Sequence, residues 1–447
     1  MDSPVAVTEA PLEDAHAAPP NLMAWIGLGI LVLLAFVSFL DRQIIALMVS
    51  PIERDLHITD TQIGLLQGPA FGLVYPIFAI PLGYAADRYT RRWVIFWSVT
   101  LWALSAMASG LANSFDALFA ARVGVGLGEA AVGPATASLL SNIFPKHRLA
   151  TVFSVYGAGS MLGSAGALAI GGAVITWAGP GMEFPVLGHL EAWQIAFIVT
   201  GAPALVLAFL IFMVPEKPRP KGAQNKVSAA DWSEVFAFIR RTWAYLLCYV
   251  VAQTLLTLVG WGAWTWQPAV MERTYGMSAA AVGSALGIFT LAFGLTGQLT
   301  NGVVVDRIFT RRADAHLLYY VVGAVIVTVT GCLAPLAPGP LLYLLALGPM
   351  KFILNFGGVF TAALQIVTPS RLRGRMTALT SIVVGLAGFS LGPWVVPFFT
   401  ENVFHDPSKV NWATALMIGI FVPLAGIFLF FGMKPMRAAV ELERGKA

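Results

Sequence analysis

Charge is scarce in this chain: Asp, Glu, Lys and Arg make up 11% of its 447 residues, against 57% hydrophobic residues. No soluble domain of this size needs so few charges. Most of the chain must lie in lipid, as helices that satisfy their own backbone groups. The mean hydropathy of +0.77 agrees. Cysteine is almost absent: Cys248 and Cys332 both fall inside apolar runs, which excludes a disulfide framework, a zinc site and a redox pair. Basic residues are missing from residues 1–21, which are Pro/Ala-rich and carry Asp2, Glu9, Glu13 and Asp14. A secretory signal begins with positive charge, so this segment is expected to be a disordered tail and not a cleaved leader. The chain shows no intramembrane His/Glu metal pattern and no Ser-His-Asp pairing, with His147 and His316 expected in loops or tails. It is not expected to be an enzyme or to hold a cofactor.

What the chain does contain is a series of long windows almost free of charge. Spans are predicted at 22–49, 61–86, 93–112, 116–144, 149–177 and 193–214, then at 241–270, 277–304, 315–334, 341–367, 374–400 and 410–433. That gives an all-α polytopic membrane protein of twelve helices in two six-helix bundles, 22–214 and 241–433. Residues 215–240 join them; their prolines and dense charge mark a linker, with an amphipathic helix expected over 229–240. Residues 434–447 form a C-terminal tail.

The pI near 9.1 does not point to nucleic acid, because the basic residues are sorted by loop. Of 27 Lys and Arg, 21 fall after spans 2, 4, 6, 8 and 10 and in the C-terminal tail. Arg54, Arg273 and Lys409 lie on the opposite side. The positive-inside rule then predicts both termini and the linker to be cytoplasmic.

A charged stretch occurs twice. Gly83, Asp87, Arg88, Arg91 and Arg92 follow span 2; Gly302, Asp306, Arg307, Arg311 and Arg312 follow span 8. A second repeat lies at Pro145-Lys146-His147-Arg148 after span 4 and Pro369-Ser370-Arg371-Leu372-Arg373 after span 10. Spans 5 and 11 are rich in glycine, for close helix packing or for bending during a cycle. Two six-helix halves with this doubled loop resemble the major facilitator superfamily over nearly the whole chain. The resemblance implies alternating access around a central cavity lined by spans 1, 4, 7 and 10. It also implies that Gly83, Asp87, Arg88, Arg91, Arg92, Asp306, Arg307, Arg311 and Arg312 form a conformational latch on the cytoplasmic face. Thr90 stands where many members carry Gly.

Five ionisable residues interrupt the spans: Asp41, Arg42, Arg122, Glu129 and Lys351. Each would cost roughly 2.5–3.5 kcal/mol near the bilayer centre, so they are expected to face the bundle interior and to pair. Arg122 and Glu129 stand about two turns apart on one helix face. Asp41, Arg42 and Arg122 reach similar depth and can pair. Glu129 lies deeper, where a carboxylate exchanging its proton against a nearby Arg would suit proton coupling. Lys351 is its counterpart in the second half and is expected to receive an anionic group or Glu129 itself. Softer cavity candidates are Gln253, Thr257, Trp261, Trp264, Gln267 and Asn355. Trp264 and Trp266 have an interfacial-belt reading as well.

The runs Phe39-Leu40-Asp41-Arg42-Gln43, Ile58-Thr59-Asp60-Thr61-Gln62 and Arg122-Val123-Gly124-Val125-Gly126-Leu127-Gly128-Glu129 resemble the spinster family. That resemblance implies export of lysolipids or sphingoid phosphates, with proton coupling in some members. It places Asp41 and Glu129 at the coupling positions and Arg42, Arg122 and Lys351 at the headgroup. The short linker looks bacterial, implying the inner membrane, with a monomer expected. A proton-coupled organic-anion symporter holding a sugar acid on Arg42, Arg122 and Lys351, or a multidrug exporter, is the alternative. A non-transporting receptor has no use for five buried charges.

Overall fold

The structure is a computed structural model that describes residues 22–145, 148–216, 232–354, 358–369 and 371–444. Eleven of its helices are long and apolar enough to cross a membrane: Leu22–Leu47, Asp60–Ala86, Phe115–Ile143, Thr151–Ala178, Ala192–Met213, Trp232–Tyr275, Ala279–Phe309, Ala315–Leu336, Pro340–Val367, Arg373–Asn402 and Pro407–Glu441. These are spans 1, 2 and 4 to 12. Span 3 is the helix Arg91–Ser109, which opens on two arginines. The twelve helices form two six-helix bundles, as the sequence predicts.

Spans 2, 4, 6 and 8 all start at the face away from the basic loops, here the far face, and each start is capped. Thr59 and Gln62 form a reciprocal capping box, as do Glu191 and Gln194. Ser114 accepts from the Ala117 N–H and Ser278 from the Ala281 N–H. Such caps satisfy the free N–H groups of a first turn and set where each helix enters the bilayer. A two-stranded hairpin, Met182–Phe184 with Gly188–Leu190, closes the loop between spans 5 and 6.

The expected amphipathic helix is present among the described residues and differs only in joining span 7 across a kink at Thr242. Residues 229–231 lie outside the described residues, and the helix begins at Trp232. His316 also differs: it lies in the first turn of span 9, buried, with its ring 5.0 Å from that of Phe309. Apolar packing from both sides draws that turn into the bundle.

The halves meet through spans 1 and 7, 2 and 11, and 5 and 8, in their middle and far-face portions. Contact there is backbone to backbone. A Cβ at Gly68 would lie 2.1 Å from the Ser390 carbonyl oxygen, and one at Gly283 2.1 Å from that of Leu168. Among the described residues the extensive packing between the halves lies in these middle and far-face portions, and the region between them toward the basic face is here called the cleft.

Candidate functional site

Span 4 is interrupted near its middle, and in span 10 a helix ends on the non-helical Leu354. Span 4 is a helix Phe115–Glu129 followed by Val132–Ile143; span 10 is Pro340–Ile353 followed by Gly358–Val367. Glu129 is the last residue of its half-helix, and Lys351 lies in the last turn of the equivalent one. Both halves therefore end a helix at the cleft, one on an acid and one on a base. The carbonyl end of a helix favours a cation, so Lys351 is well placed there.

Arg42 forms an ion pair with Glu129, bringing spans 1 and 4 together. Its guanidinium carbon lies 4.8 Å from the centroid of Phe39, 4.3 Å from that of Phe71 and 5.5 Å from that of Tyr75. The aromatic faces hold the cation and exclude water around the pair. Asp41 is fully buried, accepts from the Trp102 indole N–H at 3.2 Å and lies 3.6 Å from Arg122. Arg122 in turn lies 5.5 Å from the Phe197 ring. The neighbouring Asp41 and Arg42 thus serve different partners, because successive helix residues point about 100° apart. Asp41 Oδ1 and Glu129 Oε1 accept no hydrogen bond among the described residues.

Lys351 corrects one expectation. It does not reach Glu129, whose charge Arg42 takes; its Nζ lies 3.4 Å from the Trp264 ring centroid. The Trp264 N–H donates to Gln43 Oε1 at 2.5 Å, which ties span 7 to span 1. Trp264 is thus an interior residue. Trp266 is neither belt nor cavity: it is wholly buried and its N–H donates to the Pro393 carbonyl at 2.8 Å. Trp261 lies 4.1 Å from Phe389, which lies 5.7 Å from Phe71, itself stacked on Tyr75 at 5.3 Å. This aromatic row crosses from the second half to the first and ends at Arg42. Phe389 closes a π-helical turn, Gly385–Phe389, a local widening that turns its ring toward span 2.

Gln253 and Thr257 sit on span 7, Thr257 packed against Gly388, where a Cβ would lie 2.9 Å from the Thr257 Cβ. Asn355 lies outside the described residues. Sequence reading missed Gln43, Phe71, Tyr75, Trp102 and Phe389. Aromatics are abundant throughout the chain, and only their tertiary contacts set these apart: Phe71 and Tyr75 with Arg42, Trp102 with Asp41, Phe389 with Phe71, and Gln43 with Trp264.

At the basic face, Glu216 accepts from the backbone N–H of Arg91 at 2.9 Å and pairs with the side chains of Arg91 at 3.6 Å and Arg92 at 3.4 Å. Arg91 also donates to Ser138 at 2.8 Å, and Arg92 to the Phe212 carbonyl at 3.1 Å. These ties join spans 3, 4 and 6 of one half. Gly83 faces Pro134 of span 4, Arg88 is exposed, and the side chain of Asp87 lies outside the described residues. In the second copy the buried Asp314 takes Arg312 at 3.1 Å and Arg437 at 3.6 Å. Asp306, Arg307 and Arg311 are exposed and form no ion pair among the described residues. None of these ties crosses between the halves.

Twelve helices in two bundles, each half turning a charged side chain from a helix end into the cleft, define a membrane transporter. The Major Facilitator Superfamily model matches residues 31–393, and the chain belongs to that superfamily. It is 28% identical to an MFS-type efflux pump of Mycolicibacterium smegmatis, over 94% of this chain and 93% of that one. It is 24% identical to the D-galactonate transporter of Escherichia coli, over 90% of this chain and 95% of that one. A crystal structure of a bacterial homologue to the human lysosomal transporter Spinster, inward-facing and unoccupied, superposes with a TM-score of 0.76 at 22% identity, covering 95% of this chain and 98% of that one.

Proposed function

We propose that this protein is a proton-coupled secondary transporter of an anionic amphiphile, a lysolipid or sphingoid phosphate, working by alternating access. The basic face is cytoplasmic, in a bacterial inner membrane, with both termini inside. The carrier acts as a monomer on the proton gradient alone, without cofactor or nucleic-acid partner.

One observation carries this reading: the Arg42–Glu129 pair sits at the end of an aromatic row, within the cleft that also holds Lys351. An apolar body fits the row of Trp261, Phe389, Phe71 and Tyr75, while a phosphate or carboxylate fits the cations. Arg42 can pair with the Glu129 carboxylate or with the substrate anion, but a single guanidinium held on both would leave three charges in a dry site. Protonation of Glu129 frees Arg42 for the anion; its deprotonation draws Arg42 back. Beside it Asp41 balances the charge of Arg122.

The test is flux of a labelled lysolipid or sphingoid phosphate in proteoliposomes, with and without a pH gradient, for wild type and Glu129→Gln. Gradient-dependent flux lost in the variant supports the reading. A second reading, a symporter for a hydrophilic organic acid, draws on the three interior cations Arg42, Arg122 and Lys351 and on the likeness to the D-galactonate transporter. Gradient-driven uptake of a sugar acid without lysolipid flux would select it.

A further inference from the structure

Where the halves meet at the far face, two carboxyl groups converge on one guanidinium. Arg273 Nη2 lies 2.7 Å from Glu53 Oε2 and 2.8 Å from Asp60 Oδ1, and its Nη1 lies 3.0 Å from Asp60 Oδ2. Glu53 and Asp60 belong to the first half and Arg273 to the second. The same guanidinium donates to the Pro407 carbonyl at 3.2 Å and lies 5.7 Å from the Trp266 ring.

Both carboxyl groups therefore crowd one guanidinium nitrogen, Nη2, and Glu53 Oε1 has no hydrogen-bond partner among the described residues. One guanidinium neutralises one carboxylate and the second has no cation of its own, which favours a proton on one of the two. The neighbouring groups are otherwise engaged. On the Glu53 helix, Val49–Leu56, Arg54 donates to the Ser50 carbonyl and Asp55 accepts from Trp193 of span 6. From span 7, Glu272 accepts from the Ser50 hydroxyl at 3.0 Å. From span 11, Thr400 donates to Asp60 at 3.4 Å and Glu401 accepts twice from Thr61.

We propose that Glu53 and Asp60 form a proton-binding site that closes the far face, holding one proton while Arg273 bridges the halves and releasing it when they part. Glu53 is pushed up to about 9, chiefly by burial and then by the neighbouring Asp60 carboxyl. Opening carries Arg273 away with the second half and returns Glu53 to water, where a glutamic acid titrates near 4.3. The closed form therefore binds more protons than the open form. Its share falls as pH rises between those two values, by up to about tenfold per pH unit, and is steady below them. Acid on the far side favours the form closed at the far face, with or without substrate. The site is separate from Glu129 and rests only on alternating access, not on the substrate class.

Two substrate-free measurements test this on the full chain in nanodiscs. Infrared difference spectra of wild type against Glu53→Gln at pH 7 should show a protonated-carboxyl C=O band belonging to Glu53, lost above pH 9; its absence overturns the proposal. Spin labels on cysteines placed at the exposed Asn113 and Asn402, one per half, then report the far-face distance. The wild-type closed population should decline between pH 6 and pH 9, while Glu53→Gln, which keeps a neutral hydrogen-bonding side chain, should stay closed throughout. A wild-type distance that ignores pH, or a variant that follows it equally, overturns the coupling. Because neither readout needs a substrate, the wrong lysolipid cannot produce either failure.

Discussion

The Lys351 ammonium rests 3.4 Å from the Trp264 ring centroid, and the Trp264 indole N–H is held by Gln43 of the other half. Among the described residues no carboxylate pairs with Lys351, which leaves its amine open to an incoming anion. Lys351→Met should weaken an anionic substrate about 10- to 100-fold, the range for losing one charge-assisted hydrogen bond. Gln43→Leu, which frees the indole without removing the charge, should cost less than Lys351→Met. Binding isotherms for wild type and the two variants check the order; equal affinity in all three would remove Lys351 from the headgroup site.

Glu129→Gln leaves Arg42 without its carboxylate partner while keeping the shape of the site. The variant should still exchange substrate across the membrane down equal gradients, yet lose accumulation driven by a pH gradient. Counterflow and gradient-driven uptake, measured on the same proteoliposomes, separate the two. Trp102→Phe removes the indole donor to Asp41 and should lower stability by about 1 kcal/mol, with the gradient response retained.

Close approach of the halves depends on missing side chains at Gly68 and Gly283. A methyl group 2.1 Å from a backbone carbonyl cannot be relieved by a rotamer change. Gly283→Ala should therefore spread the far face in the same distance measurement and slow transport, with little change in melting temperature because neither six-helix bundle is disturbed. A far-face distance unchanged from wild type would show that the contact yields.

Glu216 caps the first turn of span 3 and takes both Arg91 and Arg92. Glu216→Gln keeps an acceptor but drops the charge and should destabilise the fold by about 1–2 kcal/mol. Thermal unfolding in detergent reads the loss. Salt should narrow the gap only slightly, since Glu216 and Arg91 are largely buried.

The sequence determined the membrane class, the twelve spans, the doubled loop and the positions of five interior charges. Those follow from properties that act locally: lipid rejects charge and unpaired backbone wherever they occur, so composition along the chain reports burial in the membrane directly. Helix periodicity also set Arg122 and Glu129 on one face. Only the tertiary structure decided who pairs with whom. Charge alone lets Arg122 pair with Asp41 or with Glu129 on its own helix face, and the rotation of span 1 brings Asp41 to Arg122 and Arg42 to Glu129. Lys351 and Trp264 are 87 positions apart in the chain, and Glu53 and Arg273 220. Their contacts exist because two bundles close on one another along glycine-lined helices. Sequence spacing carries no information about that approach, and the gate at the far face is legible only once it is made.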